Sequence, residues 1–458
     1  MEQIWSSVNR RELLKAGASG AGLVAFGPLL AACGGDDDDD GGSASKGGGD
    51  IKMWWWGQQE AVGIQKWIDA TLTKFEADTG SNVKDTLMDT DNVVPQFTNA
   101  AASGNPPDVQ FLFNGIYHME NVWLDYVAPL NGLVSNDVLA KSGATQMSVF
   151  EGKQYRVGFY SVGFGIAYNK DHFEKAKLDP DAPPETWDEF LEACQKLKAA
   201  GHIPIGGGVK DGFLGEWYLV LGLNQNLDSP ADALNLFIGD LDWREPKYHE
   251  HWVKLEDLKK AGFFNDDIAS KELYQGIQLF DTGKASMCIN TTPALPNSQK
   301  KLGADTVGYM VMPAWGTGSF AGVPITDAQG FGIPTKAGDQ ETAAKLLEFM
   351  HSPDRVEAMW TLSQQIPAND DFDGSQIKDP LIKATYDKWV AGDSAAYIAD
   401  LMPTKFWTDA MFVASQKILA GSMTGNQAAD LAHDVTETWK KQNPDMVQNY
   451  ETWSKDLA

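Results

Sequence analysis

Apolar residues in this chain recur with two alternating periods. Ile51 to Trp56 is a β-forming run closed by Gly57, and it predicts a strand. Ile64, Trp67, Ile68, Leu72 and Phe75 then recur at three- and four-residue spacing until Gly80, which predicts a helix with one buried face. Val83 to Leu87 reads as the next strand. Asn105-Pro106-Pro107-Asp108 is a turn that leads into the apolar strand Val109 to Phe113. Strand, helix and strand in this order predict an α/β fold with a parallel sheet covered by helices.

The same alternation continues. Val157 to Asn169 is a long β-rich run with glycines at 158, 163 and 165. Thr186 and Glu189 form a capping box, and Trp187, Phe190, Leu191, Cys194 and Leu197 make the apolar face of the helix it opens, up to Gly201. Ala285 to Thr291, Val307 to Met312 and Gln329 to Ile333 read as further strands. Thr342 to Met350 and Phe406 to Leu419 read as amphipathic helices, and no internal repeat is visible.

The N-terminus adds a compartment. Asn9-Arg10-Arg11 precedes an uncharged, Gly- and Ala-rich stretch from Ala16 to Ala32, the pattern of a twin-arginine (Tat) export signal over residues 1–32. The stretch is short for a membrane helix, which needs about 20 predominantly apolar residues. Leu30-Ala31-Ala32-Cys33 resembles the lipobox of bacterial lipoproteins, which implies cleavage before Cys33 and lipidation of its thiol. Residues 33–50, rich in Gly and Asp, read as a flexible tether that cannot build a core.

Charge and composition then narrow the partners. The chain has 458 residues and a net charge of -26. The leader carries one more positive than negative charge, so the chain from Cys33 onward stands at -27. That argues against nucleic acid and anionic membrane surfaces as partners. About 425 residues follow the leader, which suits two domains. Cys194 and Cys288 both sit in apolar patterns and read as buried thiols, although a disulfide stays open. The seven histidines are scattered, and the closest pair, His249 and His251, is spaced to face different ways on a helix. No cofactor and no metal site is expected.

The order of motifs resembles a known family. Asp78-Thr79-Gly80 with Val83, Gly104 with Pro106-Pro107-Asp108-Val109, Tyr168-Asn169-Lys170-Asp171, Pro184-x-Thr186-Trp187-Asp188-Glu189-Phe190, Phe280-x-x-Gly283-Lys284-Ala285-Ser286-Met287 and Phe331-Gly332-Ile333-Pro334 are similar, in order, to landmarks of the extracellular solute-binding proteins that serve ABC importers of sugars. The resemblance spans about residues 51 to 440. It implies a two-lobe clamshell with chain crossings near Tyr160 to Gly165, Met312 to Val323 and Leu362 to Pro367. One lobe is then expected to hold residues 51–160 and 316–362, and the other 161–315 and 363–458. The hinge glycines are expected to absorb dihedral changes. The implied partners are a sugar and the permease subunits, with a monomer touching the membrane only through its lipid. No catalytic residue is implied.

A sugar presents hydroxyls at its edge and C–H bonds on its faces, so a site needs aromatic planes beside hydrogen-bonding side chains. Candidates at the C-terminal ends of predicted strands are Trp56, Gln58 and Glu60, then Phe113 and Asn114, then Tyr160 at the first crossing. Thr292 and Gln329 occupy positions that the resemblance marks as ligand-facing. Pro293 stands where relatives carry a stacking tryptophan, so Trp315 or Trp407 is the expected substitute. Two alternatives stay open: a tryptophan cage with acidic neighbours that binds a polyamine or quaternary amine, and a glycan-active enzyme with a carboxylate pair. A lipid-anchored adhesion or sensory protein is a third.

Overall fold

The structure is a computed structural model, and it describes residues 49–113, 118–143 and 146–457. Cys33, most of the tether and Asn114 lie outside the described residues.

Among the described residues eleven strands follow in chain order: β1 (Asp50–Trp55), β2 (Asn82–Leu87), β3 (Val109–Leu112), β4 (Val149–Phe150), β5 (Lys153–Gln154), β6 (Val157–Asn169), β7 (Ile203–Ile205), β8 (Ala285–Thr291), β9 (Val307–Met310), β10 (Ile325–Gly332) and β11 (Ala395–Ala396). β4 and β5 pair only with each other. The other nine form one sheet with the path β2-β1-β3-β10-β6-β8-β7, to which β11 adds at β10 and β9 at β6. β1, β2 and β3 are mutually parallel, as the strand–helix–strand pattern predicts. β7 and β8 are parallel at the other end of the path. Between these two ends run β6 and β10, antiparallel to each other.

The predicted periods match the elements closely. The helix Ile64–Thr79 buries Ile64, Trp67, Ile68, Leu72 and Phe75 and ends on left-handed Gly80. The capping box at Thr186 is complete, with the Thr186 hydroxyl and the Glu189 carboxylate each accepting a backbone N–H. β6 covers Val157–Asn169, and every residue in it is buried.

Three expectations are corrected in detail. β10 begins at Ile325, four residues before the predicted strand at Gln329, because buried Asp327 interrupts the apolar signal while bonding to Arg156. β9 ends at Met310, ahead of Pro313. The helix predicted over Phe406 to Leu419 contains a π-helical stretch, Trp407–Met411. The glycines of β6 meet a packing demand: a Cβ on Gly158 would lie 2.6 Å from the Ala368 Cβ, one on Gly163 2.6 Å from Trp389 Cδ1, and one on Gly165 2.6 Å from the Met310 carbonyl oxygen. None of the three has a positive φ, so close approach of neighbours selects glycine there.

Cys194 and Cys288 are both buried and carry free thiols. Among the described residues no helix is long and apolar enough to cross a membrane.

Candidate functional site

The first wall of the site starts where β1 ends. Trp55 points into the core and donates its indole N–H to Asp85 at 2.8 Å. Trp56, next along, faces away from it and packs on Phe111 and Phe113, with ring centroids 5.7 and 4.9 Å apart. Its indole donates to the Thr90 hydroxyl at 2.8 Å. Gly57 then turns the chain at φ 141°, a backbone state that favours glycine, with the Tyr160 ring 3.1 Å from where a Cβ would sit. The turn closes through the N–H groups of Glu60 and Ala61 on the Gly57 carbonyl and carries Glu60 inward.

Glu60 meets two side chains from the central strands. The pairing of β10 with β6 shifts register between Ala328 and Gly330, whose partners are Ser161 and Gly158. Phe159 and Tyr160 therefore oppose the single residue Gln329, a β-bulge that re-aims both strands locally. Tyr160 donates to Glu60 Oε2 at 2.8 Å, and Gln329 Nε2 donates to the same oxygen at 3.1 Å. Glu60, Tyr160 and Gln329 are 2 %, 0 % and 3 % exposed. Burial pushes the Glu60 carboxyl up, against the pull of the Tyr160 and Gln329 hydrogen bonds. The Gln329 Oε1 atom is buried and has no partner among the described residues.

The opposite wall comes from the helix Phe213–Leu223, which is apolar on every side apart from Glu216. Glu216 accepts from the Tyr397 hydroxyl and, at 2.5 Å, from the Trp407 indole N–H. Burial raises its pKa to about 7, with those two hydrogen bonds opposing. Tyr397 stacks on Phe164 of β6 at a centroid distance of 4.3 Å. Trp407 sits in the π-helical stretch, a backbone irregularity that recurs at functional sites, and packs on Phe213 and Phe412.

Behind the two walls lies a buried ionic cluster. Arg156 donates to the Phe113 carbonyl at 3.1 Å, to Ser148 Oγ at 2.9 Å and to Asp327 Oδ1 at 3.3 Å. Burial raises the Asp327 carboxyl while Arg156 opposes the shift. Asp400 is pushed well above the usual carboxylate range by burial and by the neighbouring Asp327 charge. This cluster ties β6 to β10 beneath the bulge and carries the Phe113 backbone with it.

Trp56, Glu60, Phe113 and Gln329 converge on one cavity, together with Thr90, Phe164, Phe213, Glu216, Trp217, Leu273, Tyr274 and Tyr397. Tyr160 braces Glu60 from behind, and Trp407 braces Glu216. Three predicted residues go elsewhere. Gln58 Oε1 accepts from the N–H groups of Gly63 and Gln65, so its side chain is committed to the start of the helix Ile64–Thr79. Thr292 Oγ1 accepts from the Gly163 N–H at 2.9 Å and braces β6. Trp315 packs edge-on against Trp187 with the Lys254 ammonium over its ring, away from the cavity. Glu216, Trp217, Tyr274 and Tyr397 escaped sequence reasoning. Glu216 had a signal: a single acid inside the otherwise apolar run Phe213-Leu214-Gly215-Glu216-Trp217-Tyr218-Leu219.

The cavity encloses about 30 Å³, room for one or two waters and far below the ~300 Å³ at which small-molecule pockets begin. It shares Thr90 and Tyr274 with a wider recess of about 450 Å³ whose wall includes Asp89, Asp91, Asp211 and Glu272. Asp211 is pushed up to about 6, chiefly by burial and further by the charges of Asp91 and Glu272. As enclosed here, the cavity has no room for a solute larger than water.

Comparison with known proteins fits this geometry. The family model of the bacterial extracellular solute-binding protein matches residues 55–357. A sn-glycerol-3-phosphate-binding periplasmic protein of Brucella abortus is 33% identical over 137 residues, 28% of this chain and 30% of that one. Its counterpart in Salmonella typhimurium is 30% identical over 203 residues, 43% of this chain and 44% of that one. The chain thus spans less than half the length of these curated relatives. Among solved structures, a chitin oligosaccharide binding protein superposes with a TM-score of 0.75 at 21% identity, over 86% of this chain and 99% of that one. An ABC transporter solute binding protein from Thermotoga lettingae bound with α-D-tagatose gives 0.71 at 18% identity, over 85% and 99%. Those likenesses carry the two-lobe fold. With a match over well more than half its length, the chain belongs to the bacterial extracellular solute-binding proteins.

Proposed function

We propose that this protein captures a mono- or oligosaccharide outside the cytoplasm by lobe closure and hands it to the permease of an ABC importer. One observation carries the reading: aromatic faces and buried hydrogen-bonding groups from both walls converge on one cavity, with Trp56, Phe113 and Glu60 on one side and Trp217, Tyr397 and Glu216 on the other. Aromatic planes suit the C–H faces of a pyranose, and polar groups suit its edge. A buried polar atom left unpaired by the wrong solute supplies discrimination. The solved relatives named for chitin oligosaccharide and bound with tagatose support the same class. The glycerol phosphate of the sequence relatives suits this cavity poorly, because its lining holds two carboxylates and, among the described residues, no Arg, Lys or His.

The reading requires no chemistry on the solute. Closed and open forms differ in affinity, the solute shifts the population between them, and the permease reads the closed shape. The hinge is assigned to β6 and β10, the strands that run between the two ends of the sheet. The protein works as a monomer, tethered through diacylglycerol on Cys33 after export of the 1–32 leader. Incorporation of labelled palmitate that is lost in Cys33→Ala tests the anchor.

Isothermal titration with a panel of neutral mono- and oligosaccharides tests capture. Saturable one-to-one binding at micromolar Kd or tighter, about −8 kcal/mol, is expected. Binding of none of them, with turnover of one instead, contradicts it.

A further inference from the structure

The polar atoms of the cavity are not balanced between donors and acceptors. Tyr160, Trp56, Tyr397 and Trp407 each donate to an acceptor inside the wall itself. Apart from the Tyr274 hydroxyl, what is left facing inward is acceptor capacity. Glu60 and Glu216 are both 2 % exposed, line the cavity and, among the described residues, form no ion pair. Gln329 Oε1, also buried and in the lining, has no donor among the described residues. Buried carboxylates without a cation are costly, and most proteins pair them.

The approach has the same sign. The adjoining recess presents Asp89, Asp91, Asp211 and Glu272, and of the lysines nearby Lys210 pairs with Glu272 at 2.9 Å. The inner walls are aromatic faces: Trp56, Phe113, Phe164, Phe213, Trp217 and Tyr397. Aromatic faces attract a cation through their ring quadrupoles, and attract it more strongly when water is excluded. A field of one sign along an entry path concentrates solutes of the other.

We infer that the solute carries a protonated amine on a saccharide frame, an amino sugar or an oligomer of one, with the ammonium held between Glu60 and Glu216 and donating to Gln329 Oε1. This rests on the saccharide reading above and sharpens it. Hydroxyls alone would satisfy Gln329, but they would bring no positive charge to the two buried carboxyl groups. An ammonium supplies the charge and three donors in one group. It would also favour the carboxylate form of Glu216, whose pKa burial raises to about 7.

The test uses the full protein and three oligosaccharide series that differ in the substituent at C2. Chitosan oligosaccharides carry free amines, chitin oligosaccharides carry acetamides, and cello-oligosaccharides carry neither. Titrations at pH 6 are expected to show the amine series binding at least tenfold tighter than the other two. Net proton release should accompany binding in buffers of different ionisation heat. Glu216→Gln and, separately, Glu60→Gln should collapse the ratio between the amine and acetamide series, a readout that does not depend on absolute affinity. Equal affinity for all three series overturns the amine assignment and leaves saccharide capture standing. Binding of spermidine with no saccharide bound overturns saccharide capture as well.

Discussion

Tyr160 in β6 donates its phenol proton to Glu60, in the turn after β1, across 2.8 Å, and Gln329 of β10 donates to the same carboxylate oxygen. One acid thus ties the end of β1 to both central strands at their bulge. Residues 100 positions apart become a single polar unit because the bulge turns Phe159 and Tyr160 against one partner.

The Glu60 unit has a measurable coupling. Tyr160→Phe removes one donor from a buried carboxylate and should cost about 1.5 to 3 kcal/mol. Gln329→Leu removes the other. Because both act on one oxygen, the double variant should depart from additivity by at least about 0.5 kcal/mol in urea unfolding. Additive losses would show that the two bonds are independent.

Gly163 tests whether packing selects the glycines of β6. A Cβ there would lie 2.6 Å from Trp389 Cδ1 and 2.9 Å from Thr292 Cγ2. Gly163→Ala is expected to destabilise by about 1 to 3 kcal/mol through overpacking. Thermal unfolding reads this directly, and an unchanged melting temperature would mean that Trp389 yields freely.

Arg156 holds the ionic cluster under the site. Arg156→Met leaves Asp327 without the guanidinium that bonds it and should cost about 3 to 5 kcal/mol. Arg156→Met combined with Asp327→Leu removes both charges and should be the milder change. Urea midpoints of the two variants decide the order.

His251 sets a pH dependence away from the cavity. It lies in the helix Pro246–Lys260, is 1 % exposed, and packs on the Trp252 ring. Burial, with His249 nearby, lowers its pKa from 6.5 to about 3. A depressed pKa means the unfolded chain takes the proton first, so this contribution is present above pH 6.5 and declines as pH falls toward 3. Between pH 6.5 and 4 it amounts to roughly 3 kcal/mol. His251→Leu should flatten the stability profile by close to one proton across that window, and an unchanged slope would count against the assignment.

Much of the architecture was legible in the chain because the apolar periods are clean. The helix Ile64–Thr79, β6 and the capping box at Thr186 lie where spacing and cap chemistry put them. The first wall was legible too, since Trp56 and Glu60 follow a strand end. The second wall was not. Glu216 sits mid-helix, and its role depends on Tyr397 and Trp407, nearly two hundred residues away. No local pattern reports such contacts. Gln58 misled for the opposite reason: beside a candidate acid it looked ligand-facing, yet its side chain accepts from N–H groups at the start of the helix that follows it.

The central claim is that a solute draws two walls together around the aromatic cavity. Small-angle X-ray scattering, with and without a saturating saccharide chosen by titration, measures this directly. The account predicts a smaller radius of gyration with the saccharide, converging on the curve calculated from the closed structure. Saturable binding with superimposable scattering curves would contradict it.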